Sequence, residues 1–237
     1  MTKAILTALL TLTFVLSPFV TDPFSGFRAD QLPIPQIEPP VQPAGYAFAI
    51  WGLIYAWLVV SAGFGLSKRA DAQDWDHARV PLIISLAVGT PWLAVANASA
   101  VWATILIFVM AAGAIAALIY APMRDQWLFR VPVGIYAGWL TAASFVSLGS
   151  TAAGYGLLAG QIGWAYIGII GALLVGIAVL FRINALAYAL TIVWALVGII
   201  IANSMNNWTV SALATAGIVA LLVIAIPRKA VSAKVPS

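Results

Sequence analysis

Phe48, Trp51 and Tyr55 stand three and four residues apart in the stretch Pro43-Ala44-Gly45-Tyr46-Ala47-Phe48-Ala49-Ile50-Trp51-Gly52-Leu53-Ile54-Tyr55. Residues at those separations are neighbours on a helix surface, so the spacing predicts a helix carrying its rings on one face. Pro43 suits the start of that helix, because the first turn has no use for its missing N–H. The chemistry such a face offers is stacking, since aromatic rings pair edge-on or offset with other flat π systems. With Gly52 bare beside Trp51, the face suits either a second helix or a flat ligand. Tyr136 and Trp139 repeat the three-residue spacing further along, and Thr141, Ser144 and Ser147 follow at the same interval. Small hydroxyl residues let helices approach closely and bond weakly to one another. They also suit the polar edge of a pocket.

Other chemistries are poorly provided for. There is no cysteine, which excludes disulfides and thiolates. The seven carboxylates, Asp22, Asp30, Glu38, Asp71, Asp74, Asp76 and Asp125, all fall in segments expected to be loops. The one histidine, His77, falls in a charged connection from Lys68 to Arg79. No Lys or Arg is expected in mid-span. Ionisable groups inside a membrane mark ion pathways and proton relays, so their absence argues against an ion-coupled transporter. It also removes the usual general acids and bases. A metal site needs several convergent ligands, and His77 alone does not make one. The expectation is no metal, no required cofactor and no catalytic residue.

The elements that must position the aromatics are membrane helices. The 237 residues are 63% hydrophobic and only 8% charged, where a soluble domain carries about 25% charge. The net charge of +4 does not gather in a run suited to nucleic acid; its residues punctuate apolar stretches. Ala4–Val20 is the first such stretch. It has the basic start and short apolar core of a signal peptide, but no clear cleavage site follows, so it is expected to be retained as a helix. Thr21–Gln42, with Pro23, Pro33, Pro35, Pro39 and Pro40, reads as an extended loop over the membrane surface. Gly45–Leu66 is the second span. Val80–Tyr120 would make roughly 60 Å of helix, about twice the hydrocarbon core, so it must turn back near Asn97-Ala98-Ser99. The same argument divides Val131–Phe181 at its glycines into spans near 131–150 and 163–181. It divides Asn184–Ile226 at Asn203–Asn207.

The expected fold is therefore an all-α membrane bundle of eight helices. With the N-terminus inside, ten of the eleven basic residues fall on the inner side. These are Lys3, Lys68, Arg69, Arg79, Arg124, Arg130, Arg182, Arg228, Lys229 and Lys234, with Arg28 alone outside. The positive-inside rule asks for this asymmetry, and it places both termini in the cytoplasm, in a bacterial inner membrane.

Ten tryptophans remain to be explained. Trp75, Trp102, Trp127, Trp164 and Trp208 fall at expected span ends or in loops and fit an interfacial belt. Trp51, Trp57, Trp92, Trp139 and Trp194 lie deeper. A buried indole N–H needs an acceptor, so these rings are expected to face the bundle or a cavity rather than lipid.

Three stretches resemble the TspO/MBR family, the tryptophan-rich sensory proteins related to the translocator protein. They are the Pro43–Tyr55 stretch, Leu86–Ala96 around Pro91-Trp92, and Tyr136-Ala137-Gly138-Trp139-Leu140-Thr141-Ala142-Ala143-Ser144. Gly89 and Ser147 stand where the family often shows asparagine. No sterol-recognition pattern ends the fifth helix. The resemblance covers residues 1–150, implying a five-helix ligand-binding unit with a long outer loop over 21–44, followed by three additional helices in 151–237. It implies a pocket under that loop for porphyrins and similar planar hydrophobic ligands, lined by Tyr46, Phe48, Trp51, Tyr55, Trp92, Tyr136 and Trp139. Porphyrin carboxylates would be anchored by Arg28, backbone N–H groups or hydroxyls. Without an intramembrane histidine a metal-free tetrapyrrole is the better match. The expected partners are that hydrophobic small molecule, the lipid bilayer and a second copy of the chain, with no nucleic acid. A receptor or sensor role leads; a transporter of a hydrophobic molecule and a porphyrin-modifying enzyme are the alternatives.

Overall fold

The computed structural model describes residues 1–226, and the basic residues Arg228, Lys229 and Lys234 lie outside them. The described residues form eight helices long and apolar enough to cross a membrane. They are α1 (Thr2–Leu16), α2 (Ile50–Lys68), α3 (Gln73–Ala98), α4 (Ala100–Ile119), α5 (Val131–Gly154), α6 (Gln161–Arg182), α7 (Leu186–Asn203) and α8 (Trp208–Ala225). The chain is an all-α integral membrane protein. Short turns force sequential helices to run antiparallel. The tightest joins α3 to α4 through Ser99, whose hydroxyl caps α4 by accepting from the Trp102 N–H at 3.4 Å.

The centre of the bundle is α5, buried on nearly every side. Small residues make this possible. A Cβ built on Gly138 would lie 2.5 Å from the Tyr188 carbonyl oxygen of α7, so only glycine lets these two backbones cross so closely. The Tyr188 hydroxyl then pairs with Thr141 Oγ1 at 3.0 Å. α6 and α7 thus pack directly on the first five helices.

Contacts between connections fix which ends meet. At one end, the N-terminal ammonium reaches Asp71 at 2.7 Å, Arg69 pairs with Asp125, and Arg130 donates to the Asn184 carbonyl at 3.1 Å. At the other end the long first loop is pinned to three helix ends. Asn97 Nδ2 donates to the Asp22 carbonyl, the Ile34 N–H to Gly154, and Asn203 Nδ2 to Pro40.

Several sequence expectations change. α3 begins at Gln73, so Trp75, His77 and Arg79 are helical rather than part of a connection, and two of the seven carboxylates, Asp74 and Asp76, sit in its first turn. Acidic groups there complement the helix dipole. Trp75 and Arg79 are each only 1% exposed, so Trp75 is no belt residue. Trp164 is likewise buried, its indole N–H donating to the Leu157 carbonyl at 2.5 Å. Trp102, Trp127 and Trp208 are exposed, as a belt requires. α5 runs to Gly154 rather than 150, because Gly149 and Gly154 are packing positions, against Val41 and Leu32, and not breaks. The first loop does not lie over the surface. It dips into the bundle, burying Leu32, Gln36 and Val41.

Asp125 ties the opposite end together. It accepts from Arg69 Nε and Nη2 at 2.8 and 3.1 Å and from Trp75 Nε1 at 2.8 Å. The Arg69 hydrogen bonds, joined by the Trp75 bond and nearby positive charge and opposed by burial, hold its carboxyl below the usual range. A carboxyl depressed on folding stabilises the fold fully above its unfolded pKa of about 3.9 and loses that contribution as pH falls toward the lower folded value. Thermal unfolding followed by tryptophan fluorescence is therefore expected to give a midpoint insensitive to Asp125 between pH 7 and about 5. The midpoint should fall below about pH 4. Asp125→Asn should lower the midpoint at neutral pH and flatten the acid fall.

Candidate functional site

Proline and 3-10 geometry set the entrance. After Pro43 the chain makes a 3-10 segment, Gly45–Ala49, before α2 begins at Ile50, so the α-helix expected from Gly45 starts five residues late. Pro43 packs on Gly198 of α7, where a Cβ would come within 2.8 Å of it. The 3-10 segment turns Phe48 inward, and α2 then presents Trp51 and Tyr55 on the same side. Gly52 is exposed and faces away.

These rings line one cavity, whose empty space counted out through its open mouth into solvent is about 1100 Å³. α3 contributes Trp92 and Leu93, α4 Ile107 and Met110, and α5 Trp139, Ala142, Ala143, Val146, Ser147 and Ser150. Ala195 of α7 completes the wall, so residues 1–150 alone do not close it. Along α5 the wall from Trp139 to Ser150 spans about 16 Å at 1.5 Å per residue.

The aromatic wall is continuous. Trp51 and Tyr55 stack at 5.3 Å and 25°. Trp139 meets Trp51 edge-on at 6.3 Å and Phe48 at 5.7 Å. The Trp92 indole N–H is satisfied by the Ala103 carbonyl at 2.9 Å, which holds the ring in its place in the cavity wall.

Five of the seven expected residues, Phe48, Trp51, Tyr55, Trp92 and Trp139, are thus brought to one cavity. The other two are not part of its lining. Tyr136 is fully buried behind it, its hydroxyl paired with Ser85 Oγ at 2.9 Å and its ring 5.6 Å from Phe14. Tyr46 is 42% exposed and packs edge-on against Trp194 of α7. Trp194, expected inside, is itself 38% exposed because its N–H reaches the Ala47 carbonyl at 3.0 Å from the bundle's flank. Trp57 is half-buried and stacks on Trp127 at the opposite end, away from the cavity.

Sequence reasoning missed three phenylalanines. Phe14 of α1 is buried at the hub of Trp51, Tyr55 and Tyr136. Phe24 and Phe27 reach down from the first loop, Phe24 meeting Trp92 edge-on at 5.3 Å, and form a lid over the mouth. The signal for the lid was present: two apolar rings in a loop that exposure to water would disfavour. Gly89 and Ser147, the two departures at asparagine positions, both line the cavity. Arg28 does not line it. Its Nε pairs with Asp30 at 3.1 Å and its Nη1 reaches the Asn97 carbonyl at 3.5 Å. Among the described residues no group of His, Asp or Glu could hold a metal ion.

Neither a curated protein nor a solved structure matches the chain. The family model for TSPO-like proteins matches residues 4–227, from the first helix through the eighth. An eight-helix membrane bundle with an aromatic cavity under its first loop is in keeping with that match, and the chain belongs to the TSPO-like family.

Proposed function

We propose that the protein is a receptor-like or sensor-like membrane protein that binds a planar hydrophobic ligand, such as a metal-free porphyrin, in the cavity under its first loop. Family membership supports a membrane sensor or binding protein in general. The observation that carries the finer reading is the run of touching rings Phe48, Trp139, Trp51 and Tyr55, with Trp92 in the same cavity lining. A flat conjugated ring stacks on such a wall, and removing its large apolar surface from water supplies most of the affinity. The loop with Phe24 and Phe27 would shut water out above it. Because the opposite end carries Lys68, Arg69, Arg124, Arg130 and Arg182, the loop end faces outward across a bacterial inner membrane, with both termini cytoplasmic.

The test is titration of an uncharged porphyrin, the dimethyl ester of protoporphyrin, into the protein in lipid nanodiscs. Wild type is expected to show one saturable site by the shift of the porphyrin absorption band. Ala143→Phe places a ring in the cavity and is expected to weaken binding at least tenfold with little change in thermal midpoint. Unchanged affinity in Ala143→Phe would remove the cavity as the site.

A further inference from the structure

The cavity has a polarity along its length. Its deep part is walled by Trp51, Tyr55, Trp139 and Met110, and its polar lining, Asp22, Gln42, Ser147 and Ser150, lies toward the loop end. Two features of that polar end bear on the ligand. Ser150 is 4% exposed, and its hydroxyl has no hydrogen-bond partner among the described residues. A buried hydroxyl without a partner is costly and uncommon in a folded protein. Ser150 lines the cavity through its other atoms, and a turn about its Cα–Cβ bond is what would bring the hydroxyl to a group that enters there. The second feature is charge. Among the described residues Asp22 is the only acidic one in the lining, and no Lys, Arg or His lines the cavity. Among the described residues the Asp22 carboxylate has no ion-pair partner. The one basic residue of the loop, Arg28, is engaged by Asp30. A more polar recess shares Gln42 and Pro43 with the cavity wall, and its own lining adds Glu38, Asn203, Asn206 and Asn207, again without a basic group among the described residues.

We propose that the cavity selects a flat aromatic amphiphile whose polar end is neutral or cationic, held by Ser150 through a hydrogen bond and by Asp22 through charge, and that it discriminates against ligands bearing carboxylates there. The proposal rests on the reading of the cavity as a planar-ligand site and refines it. It moves away from the expectation that a carboxylate-bearing porphyrin would be anchored by Arg28. A carboxylate entering this mouth meets Asp22 with no cation to offset it, and like charges that close together repel. An ammonium in the same place gains the attraction instead. Since Asp22 is solvent-exposed, that gain is modest, roughly three- to fivefold in affinity.

One ring carried through four peripheries tests this, again in nanodiscs at neutral pH. The probes are protoporphyrin as the dicarboxylate, its dimethyl ester, its bis-aminoethylamide as the diammonium form, and an octaalkylporphyrin with no polar periphery. The diester and the diammonium form are expected to bind at least about tenfold more tightly than the dicarboxylate. Asp22→Asn should weaken the diammonium form about three- to fivefold, strengthen the dicarboxylate and leave the diester unchanged. Ser150→Ala should weaken the diester about two- to tenfold and leave the octaalkylporphyrin unchanged, a difference that a merely structural role for Ser150 would not produce. A dicarboxylate that binds as tightly as the diester would overturn the proposal. Equal responses of all four probes to both substitutions would do the same. Saturable binding of none of the four would instead remove the underlying cavity reading.

Discussion

Arg79→Ala is expected to cost the folded protein about 3–5 kcal/mol, the largest loss of stability from any single substitution considered for this chain. Arg79 is 1% exposed and lies near the start of α3. Its guanidinium holds four groups from three directions. Nη1 donates to Asp76 at 2.6 Å and to the Ala70 carbonyl at 3.3 Å, and Nη2 donates to the Gly65 and Arg69 carbonyls at 2.9 and 3.0 Å. The side chain also lies over the Trp75 ring, 5.4 Å from its centre. The carbonyls belong to the last turn of α2 and the connection after it, which need donors because the helix supplies none to its final turn. Removing the guanidinium leaves those acceptors and the Asp76 carboxylate without their partner, and leaves a void against Trp75. Lysine would restore the charge but not the planar fork that reaches two carbonyls at once. The order of thermal midpoints should be wild type, then Arg79→Lys, then Arg79→Ala. Equal midpoints would show that the end of α2 does not depend on this residue.

Arg79 also shows where sequence reading stops. Hydropathy located all eight helices, because a bilayer admits only segments that satisfy their own backbone and because span length is set by its thickness. The same averaging assigned Gln73–Arg79 to a connection, since seven residues holding two Asp, one His and one Arg look like a loop. Only the tertiary partners of Trp75 and Arg79 make that turn helical and buried. The shared side of Trp51 and Tyr55 on α2 was legible from their four-residue spacing, since helix geometry fixes which residues share a side, and Phe48 reaches the same cavity from the 3-10 segment before it. Tyr46 was expected in the pocket through the family resemblance and not through spacing. It stands five residues before Trp51, off that side, and packs on Trp194 instead. Phe14 was invisible because nothing local says that α1 meets the cavity, and the two loop rings, Phe24 and Phe27, could be read as needing cover but not as meeting this cavity. That depends on long-range packing, such as Leu32 on Gly154 and Val41 on Gly149.

Trp51→Ala and Trp139→Ala carry the second large effect. Each indole lines the cavity, and each also supports the other, edge to face at 6.3 Å. Losing one removes about 1–3 kcal/mol of stacking and buried apolar contact with a flat ligand, which is roughly five- to 150-fold in affinity. The double variant should lose more than either but less than the product, because the rings touch and their contributions are coupled. Trp102 and Trp208 provide internal controls, being 60% and 76% exposed and outside the cavity lining.

The most direct measurement is the dissociation constant of the uncharged porphyrin diester for wild type and for Trp51→Ala, Trp139→Ala, Trp102→Ala and Trp208→Ala, read from the absorption band in nanodiscs. One-to-one binding weakened at least about fivefold in the first two variants and unchanged in the last two is the predicted result. Equal affinity across all four variants would mean that the ligand dissolves among lipid-facing rings, and the cavity would lose its claim to be the site.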